Sequence, residues 1–557
     1  MKVFKVSQIF ILISLIALHE STAKYIEDDG TIVQLEEGKI RGHILKSEKG
    51  NDYYAFQEIP YAAPPVGENR FQLAKPPKPW TGVLNTTRNT KICHQNLSPY
   101  TNLEPTEDCL YINVYTPQKN MLQKPGSNNL LPVLLYIHGG AFVFEAGTFE
   151  YFGPKFVIDS GIVVVTFNCR LGVFGFVGTN DGVIPLNIGL KDQISAMEWV
   201  QKNIHLFGGD PNHVTIAGES SGSLAVDYHL LGPWENGKQL FHAAIMQSLS
   251  VLNGLLVQDN ETNTALSLGR ALDPEFKSND TKELLKVLQN AEASDIFKLQ
   301  GFLTIGVSQE TEGPFSYNGF EAFLSGNYKN VPVLSGFTSE EAAGIATLGT
   351  TDILKFFDDN PSQLIDPKIN MSAEDRHIAG TLRKQLYTHN TSFVEDLGGF
   401  IRYCSDRFFI NAIIKQVELT SPYVPHYLYR FAYIGEISGP SSMRPSLPPD
   451  VDAIMHGEDV YYLWADEYNS DLSKFPEADQ LFLHKYVKLW TNFIKFYNPT
   501  PEVDPLLDNV IWLPSEPISL RFLNLNGTLS MQENPRQFKE VNDIMEKYMQ
   551  PPFVVFD

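Results

Sequence analysis

Residues 214–225 read Val-Thr-Ile-Ala-Gly-Glu-Ser-Ser-Gly-Ser-Leu-Ala. They open as a buried strand and close in residues too small and flexible for ordinary core. Val214, Ile216 and Ala217 supply the strand, and Gly218-Glu219-Ser220-Ser221-Gly222 fits G-x-S-x-G with Ser220 as the central serine. Between a strand and a helix, this pentapeptide forms a tight turn that lifts one hydroxyl clear of a sheet. The flanking glycines let helix and neighbouring strand approach. Ser221 takes the next position, where its backbone N–H rather than its hydroxyl is the useful group. Taken alone, five such residues read equally well as a plain Gly/Ser turn, so the rest of the chain decides.

Outward from this turn lie short continuous apolar runs: LPVLLYIHGG (131–140), GIVVVTFNCR (161–170), AAIMQS (243–248) and VPVLSGF (331–337). Runs without alternation suit strands buried on both faces, as in a mostly parallel sheet. Between them the helical period appears. Ile194, Met197, Ile204 and Phe207 mark one helix, stopped by Gly208-Gly209-Asp210-Pro211, and residues 477–499 form a second amphipathic stretch. Near the start, TIVQLEEGKIRGHIL (31–45) looks like a hairpin, and CLYINVYTP (109–117) alternates. Strand and helix in turn imply a doubly wound α/β architecture. With no internal repeat or low-complexity linker, residues 24–557 are expected to form a single domain, with the Pro/Ser-rich 438–450 a surface loop.

The net charge of −22 argues against a nucleic-acid partner, because a phosphate backbone would be repelled. Residues 1–23 have the plan of a signal peptide: Lys2 and Lys5, an apolar stretch from Ile9 to Leu18, then the small residues Ser21-Thr22-Ala23. That stretch is short for a membrane span, so a secreted, extracellular protein without a membrane anchor is expected. Acceptor triplets for N-glycosylation occur at Asn85, Asn96, Asn260, Asn279, Asn370, Asn390 and Asn526. Cys93 and Cys109 flank one hydrophilic loop, and closing a loop of that length stabilises by roughly 3 kcal/mol. Cys169, after an apolar strand, and Cys404, in a helical stretch, read as buried free thiols.

A serine hydroxyl is a weak nucleophile that needs a base and a group to orient the base. In a strand-turn-helix setting these follow later in the chain, acid first and histidine last. Of His377, His389, His426, His456 and His484, only His456 sits in a loop-like turn after a late strand. The strand VPVL runs into SGFTSEEAAG, where Glu340 and Glu341 are neighbours that spacing does not separate. A carboxylate there would fix the imidazole tautomer and stabilise its charged form. YIHGGAF ends a strand in two glycines, whose backbone N–H groups could join that of Ser221 in an oxyanion hole. Metal hydrolysis fits poorly: no HExxH occurs, and no cysteine lies beyond His456-Gly457-Glu458.

These motifs, with EDCLYINVY (107–115), IPYAAPPVGENRF (59–71), NCRLGVFGF (168–176) and GLKDQISAMEWVQKNI followed by FGGDP, resemble those of the type-B carboxylesterase/cholinesterase family. The likeness covers nearly the whole mature chain and is strongest to secreted insect carboxylesterases, including those of hymenopteran venom. It implies an α/β-hydrolase with a large, mostly parallel sheet flanked by helices and a small N-terminal β-sheet. It further implies Ser220 as nucleophile, His456 as base and Glu341 as the acid, an oxyanion hole from Gly140, Ala141 and Ser221, and a Cys93–Cys109 disulfide. Glu219 and Ser248 would stand beside the three catalytic groups. The implied activity is hydrolysis of small-molecule carboxylic esters through an acyl-enzyme, with neither metal nor organic cofactor.

Departures from the family pattern narrow the expectation. Ala141 replaces a frequent third glycine, keeping the amide but narrowing the space, while Ala342 and Leu249 replace glycines after the acid and after Ser248, two changes expected to shift packing only. The Cys93–Cys109 loop lacks the tryptophan that cholinesterases use for choline, which argues against acetylcholine as substrate. Glu219 stands where juvenile hormone esterases typically carry Gln. The rival reading is a catalytically silent member serving adhesion or binding a hydrophobic ligand; such relatives usually lose a catalytic residue, and here all three positions are filled.

Overall fold

The computed structural model describes residues 31–95, 98–118, 130–232, 238–258, 261–303, 305–310, 315–316, 318–346, 349–439 and 446–557. The expected signal peptide 1–23, the acceptors Asn96 and Asn260, and residues 440–445 of the expected surface loop lie outside this set.

Eleven strands make the central sheet: β1 (His43–Lys46), β2 (Asp52–Pro60), β3 (Tyr111–Thr116), β4 (Leu131–Ile137), β5 (Val163–Phe167), β6 (Gly209–Glu219), β7 (Ala243–Gln247), β8 (Val333–Thr338), β9 (His426–Phe431), β10 (Arg521–Asn526) and β11 (Thr528–Glu533). Their order across the sheet is β11-β10-β9-β8-β7-β6-β4-β5-β3-β2-β1. Every pairing from β5 through β4 and β6 to β10 is parallel, and the outer strands on both sides are antiparallel. The apolar runs are explained by what each face meets. Val133 and Leu135 of β4 and Val163 and Val165 of β5 enter one core, while Leu134, Tyr136 and Val164 enter the core on the other side. Successive side chains of a strand point to opposite faces, so a strand covered on both sides has no room for alternation.

Among the helices are α1 (Ile188–Asn203), α2 (Ser221–Leu231), α3 (Leu397–Ser405) and α4 (Glu477–Phe496). The first carries Ile194, Met197 and Val200 into the same core as Val133, and α4 carries Tyr486 and Trp490 into the opposite one. After α1 a short 3₁₀ turn, Ile204–Phe207, ends at Gly208 in left-handed conformation (φ +82°). No helix of the described residues is long and apolar enough to cross a membrane.

The N-terminal segment divides between two sheets. Ile32–Gln34 and Lys39–Arg41 form the expected hairpin, joined by Val83–Asn85 in a small separate sheet, whereas His43–Lys46 crosses to the edge of the central one. The alternation in 109–117 does not mark a half-exposed strand: β3 is buried from Ile112 to Thr116. Its polar Asn113 is satisfied inside, donating to Thr166 Oγ1 and accepting from the Glu58 amide and Asn89 Nδ2.

Two sequence motifs meet through buried ion pairs. Arg70 grips Glu107 with two bonds of 2.6 and 2.7 Å, and Arg170 grips Asp192 with two of 2.7 and 2.6 Å. Paired forks of this kind fix orientation as well as distance. They tie the segments 59–71 to 107–115 and 168–176 to α1. Cys93 and Cys109 form a disulfide, and Cys169 and Cys404 are free and buried.

Candidate active site

The C-terminal ends of β4, β6, β7 and β8 converge, the usual site region of an open α/β sheet. At the end of β6 the chain turns at once into α2. Ser220 bears the strain of this turn at φ +55°, ψ −126°, a conformation costly for a side-chain-bearing residue. The turn is this sharp only because its flanks carry no Cβ. A Cβ on Gly218 would come within 2.4 Å of the Gly222 backbone, and one on Gly222 within 2.2 Å of the Ile137 carbonyl. The Ser220 amide donates to Gln247 O (2.9 Å), which anchors the turn to β7.

The structure brings Ser220, His456 and Glu341 together. Ser220 Oγ lies 2.8 Å from His456 Nε2, and His456 Nδ1 lies 2.7 Å from Glu341 Oε2. Glu341 Oε1 is occupied separately, accepting from the Thr338 amide at 2.7 Å, so the carboxylate cannot swing away. Phe409, in a single π-helical turn (Asp406–Ile410) after α3, places its ring 4.8 Å from the imidazole. The neighbouring carboxylate does something else. Glu340 accepts from Arg536 Nη1 (3.0 Å) and Ser405 Oγ (3.2 Å), in a buried cluster with Asp406. Geometry thus separates two glutamates that spacing left equivalent.

Gly140, Ala141 and Phe142, after β4, take positive φ values of 84°, 52° and 61°. A Cβ on Gly140 would sit 2.1 Å from the Phe144 carbonyl. The amides of Val143 and Phe144 donate to Gly140 O, and that of Phe142 to Ser221 Oγ (3.1 Å). The amides of Gly140, Ala141 and Ser221 have no acceptor among the described residues. Gly140 and Ala141 line the same cavity as Ser220.

That cavity holds about 650 Å³ and carries Leu255, Leu256, Phe409 and Trp464 on its walls. Leu249 also lines it, so this departure from the family pattern shapes the cavity instead of shifting packing alone. Glu145, Glu219, Glu458 and Asp466 line it as well, with no lysine or arginine among its described lining residues. Glu219 Oε1 stands 3.2 Å from His456 Nε2. Burial raises the Glu219 pKa to about 8, against the pull of His456 and with help from the negative Glu145. Burial likewise raises Glu145 to about 7, less an opposing effect of the bond from the Gly139 amide. Burial opposes the charged imidazole of His456, but Glu219 and Glu341 outweigh it and lift its pKa to about 9. The Ser248 amide donates to Gly336 O, and its buried hydroxyl has no hydrogen-bond partner among the described residues.

Among the lining residues that the sequence reading did not single out are Phe409 and Glu145. Phe409 gave no signal, since a phenylalanine in a helical stretch reads as core. Glu145 did give one: a lone charge in the apolar AFVFEAG, directly after the glycine turn.

A large, mostly parallel sheet with a hydrogen-bonded Ser–His–Glu series at its C-terminal edge defines an α/β-hydrolase. A family model described as the carboxylesterase family matches residues 29–541, and the chain belongs to that family. It is 31% identical to a juvenile hormone esterase of Heliothis virescens over 89% of this chain and 90% of that protein. Esterase FE4 of Myzus persicae is 30% identical, with 86% of each chain covered. Venom carboxylesterase-6 of Apis mellifera is 31% identical over 88% of this chain and 89% of that protein. The chain is therefore a carboxylesterase, an enzyme whose substrates are small-molecule esters.

Proposed function

We propose that this is a secreted serine carboxylesterase that works through an acyl-enzyme on Ser220. The observation that carries the reading is the unbroken series Ser220 Oγ–His456 Nε2–Glu341 Oε2, at 2.8 and 2.7 Å. As Ser220 Oγ attacks the ester carbonyl carbon, His456 Nε2 takes the hydroxyl proton, and Glu341 stabilises the resulting imidazolium. The carbonyl oxygen becomes an oxyanion met by the amides of Gly140, Ala141 and Ser221, and one such donor is worth about 10²–10³ in rate. Collapse breaks the C–O bond to the alcohol, which leaves with the proton from His456. Water, deprotonated by the same imidazole, then attacks the acyl-enzyme. The bond to Ser220 Oγ breaks, His456 returns the proton to that oxygen, and the carboxylic acid leaves and ionises.

The cavity suits an uncharged ester of medium size. Its lining offers acidic side chains and no described lysine or arginine, so no described cation there would pair with an ester that bears a free acid. Near-equal identities to esterases of different names single out none of their substrates for this chain. Secretion is supported by the leader-like residues 1–23, by the Cys93–Cys109 disulfide and by exposure of Asn85, Asn279, Asn370, Asn390 and Asn526, which we propose as glycan acceptors. Residues 24–557 would then form one hydrolase domain behind the leader.

Ser220→Ala should reduce kcat on a chromogenic short-chain ester by about 10⁴-fold or more, with an unchanged unfolding temperature. Activity near that of the wild type would overturn the acyl-enzyme reading.

A further inference from the structure

Between Gly139 and Ala146 the chain takes positive φ at Gly140, Ala141, Phe142 and Glu145, three of them not glycine. Each such residue costs of order 1–3 kcal/mol and persists only where its surroundings over-determine it. At Gly140 the conformation costs a glycine little, and Phe142 is held on both sides by hydrogen bonds. Gly140 O accepts from two amides, Phe142 N is held by Ser221 Oγ, and Phe142 O accepts from the Gly172 amide (2.7 Å). Glu145 takes φ +71°, a conformation that a glycine would adopt without strain. A charged side chain here, beneath an ester-binding cavity, needs a reason of its own.

Its contacts supply one. Glu145 Oε2 accepts from the Gly139 amide at 3.0 Å, the amide that immediately precedes the two free N–H groups. Its own carbonyl accepts from Gln95 Nε2 at 2.7 Å, and Gln95 lies two residues beyond Cys93 of the disulfide. Holding the Gly139 N–H fixes the His138–Gly139 peptide plane, and so where Gly139 launches the chain toward the next two amides. We propose that Glu145 is a positioning residue for the oxyanion hole, its side chain pinning Gly139 so that the Gly140 and Ala141 amides point at the ester oxygen. This rests on the acyl-enzyme reading, because only a developing oxyanion gives those amides their work. A hydrogen-bond acceptor suffices for the pin, and a negative charge so near an oxyanion would oppose it. The amide oxygen of glutamine should therefore serve equally well.

Three variants test this, with kcat and KM measured on the full chain and folding followed by thermal unfolding. Glu145→Met keeps the length and the backbone strain but removes the acceptor. Glu145→Gly removes both strain and acceptor. Glu145→Gln keeps the acceptor. Loss of aim in the oxyanion hole should lower kcat about 10- to 100-fold in the Met and Gly variants with KM changed less than threefold, while Gln stays within threefold of wild type. A Met or Gly variant with wild-type kcat would overturn the proposal, as would a Gln variant as impaired as Met. Activity that survives Ser220→Ala strikes the acyl-enzyme reading. A silent Ser220→Ala beside a fully active Glu145→Met strikes this inference alone.

Discussion

The turns after β6 and β4 lie against each other and are both strained, but they tolerate strain by different means. At the β6 end a single residue, Ser220, holds a positive φ, and Gly218 and Gly222 give it room. At the β4 end Ala141, Phe142 and Glu145 hold positive φ with side chains intact. They are fixed by Ser221, Gly172 and Gln95, which arrive from elsewhere in the chain. Strain accommodated by local glycine is written next to the strained residue. Strain accommodated by tertiary contact is written nowhere near it.

The strongest way to break this comparison is to strike the partners of the β6 turn. Glu341→Gln should lower kcat about 10³–10⁴-fold through loss of the oriented, charge-stabilised imidazole. The adjacent Glu340→Gln should leave kcat within a fewfold and instead cost about 2 kcal/mol of stability, because it weakens a charged bond to Arg536. Steady-state rates and denaturant unfolding on the two variants check this. Reversed effects would mean that the two glutamates had been assigned the wrong way round.

The β4 turn should respond to a more distant change. Cys93→Ser with Cys109→Ser opens a loop with a sequence separation of 16, a loss of roughly 3 kcal/mol. Because Gln95 on that loop holds the Glu145 carbonyl, kcat should also fall a fewfold at a temperature where the variant remains folded. Equal kcat, with only stability reduced, would show that the β4 turn does not depend on the loop.

The smallest effect is expected at Glu219, which touches both turns. Its Oε1 stands by His456, and a Cβ on Gly139 would meet its Oε2 at 2.8 Å. The base acts only when neutral, so kcat/KM should rise with pH through the elevated pKa of His456. Glu219→Gln removes a charge that favours the imidazolium and should shift this acid limb to lower pH by about one to two units. A limb that stays in place would remove Glu219 from the electrostatics of the base.

The difference between the turns also explains how much of the molecule is legible in its sequence. The parallel sheet was legible because β4, β5 and β7 carry apolar runs without alternation, and the β6 turn because Gly218 and Gly222 flank Ser220 in sequence. His456 was reached by setting aside four other histidines. One of these, His426, proves to be buried between Ser335 and Thr420 hydroxyls. Glu341 and Glu340 were not separable from residue spacing, because what distinguishes them is Arg536, nearly two hundred residues away. The same holds for β3, whose alternating residues are all buried from Ile112 on because Asn113 finds its partners on three other segments. Long-range polar partners were the hidden part, and the Glu145 pin belongs to it.

The most direct test of the central claim is the site of covalent capture by a phosphorylating organophosphate ester, located by peptide mass spectrometry. The account predicts one equivalent on Ser220, formed in step with loss of esterase activity and abolished by Ser220→Ala. Label on Ser221, or complete inactivation with Ser220 unmodified, would contradict it.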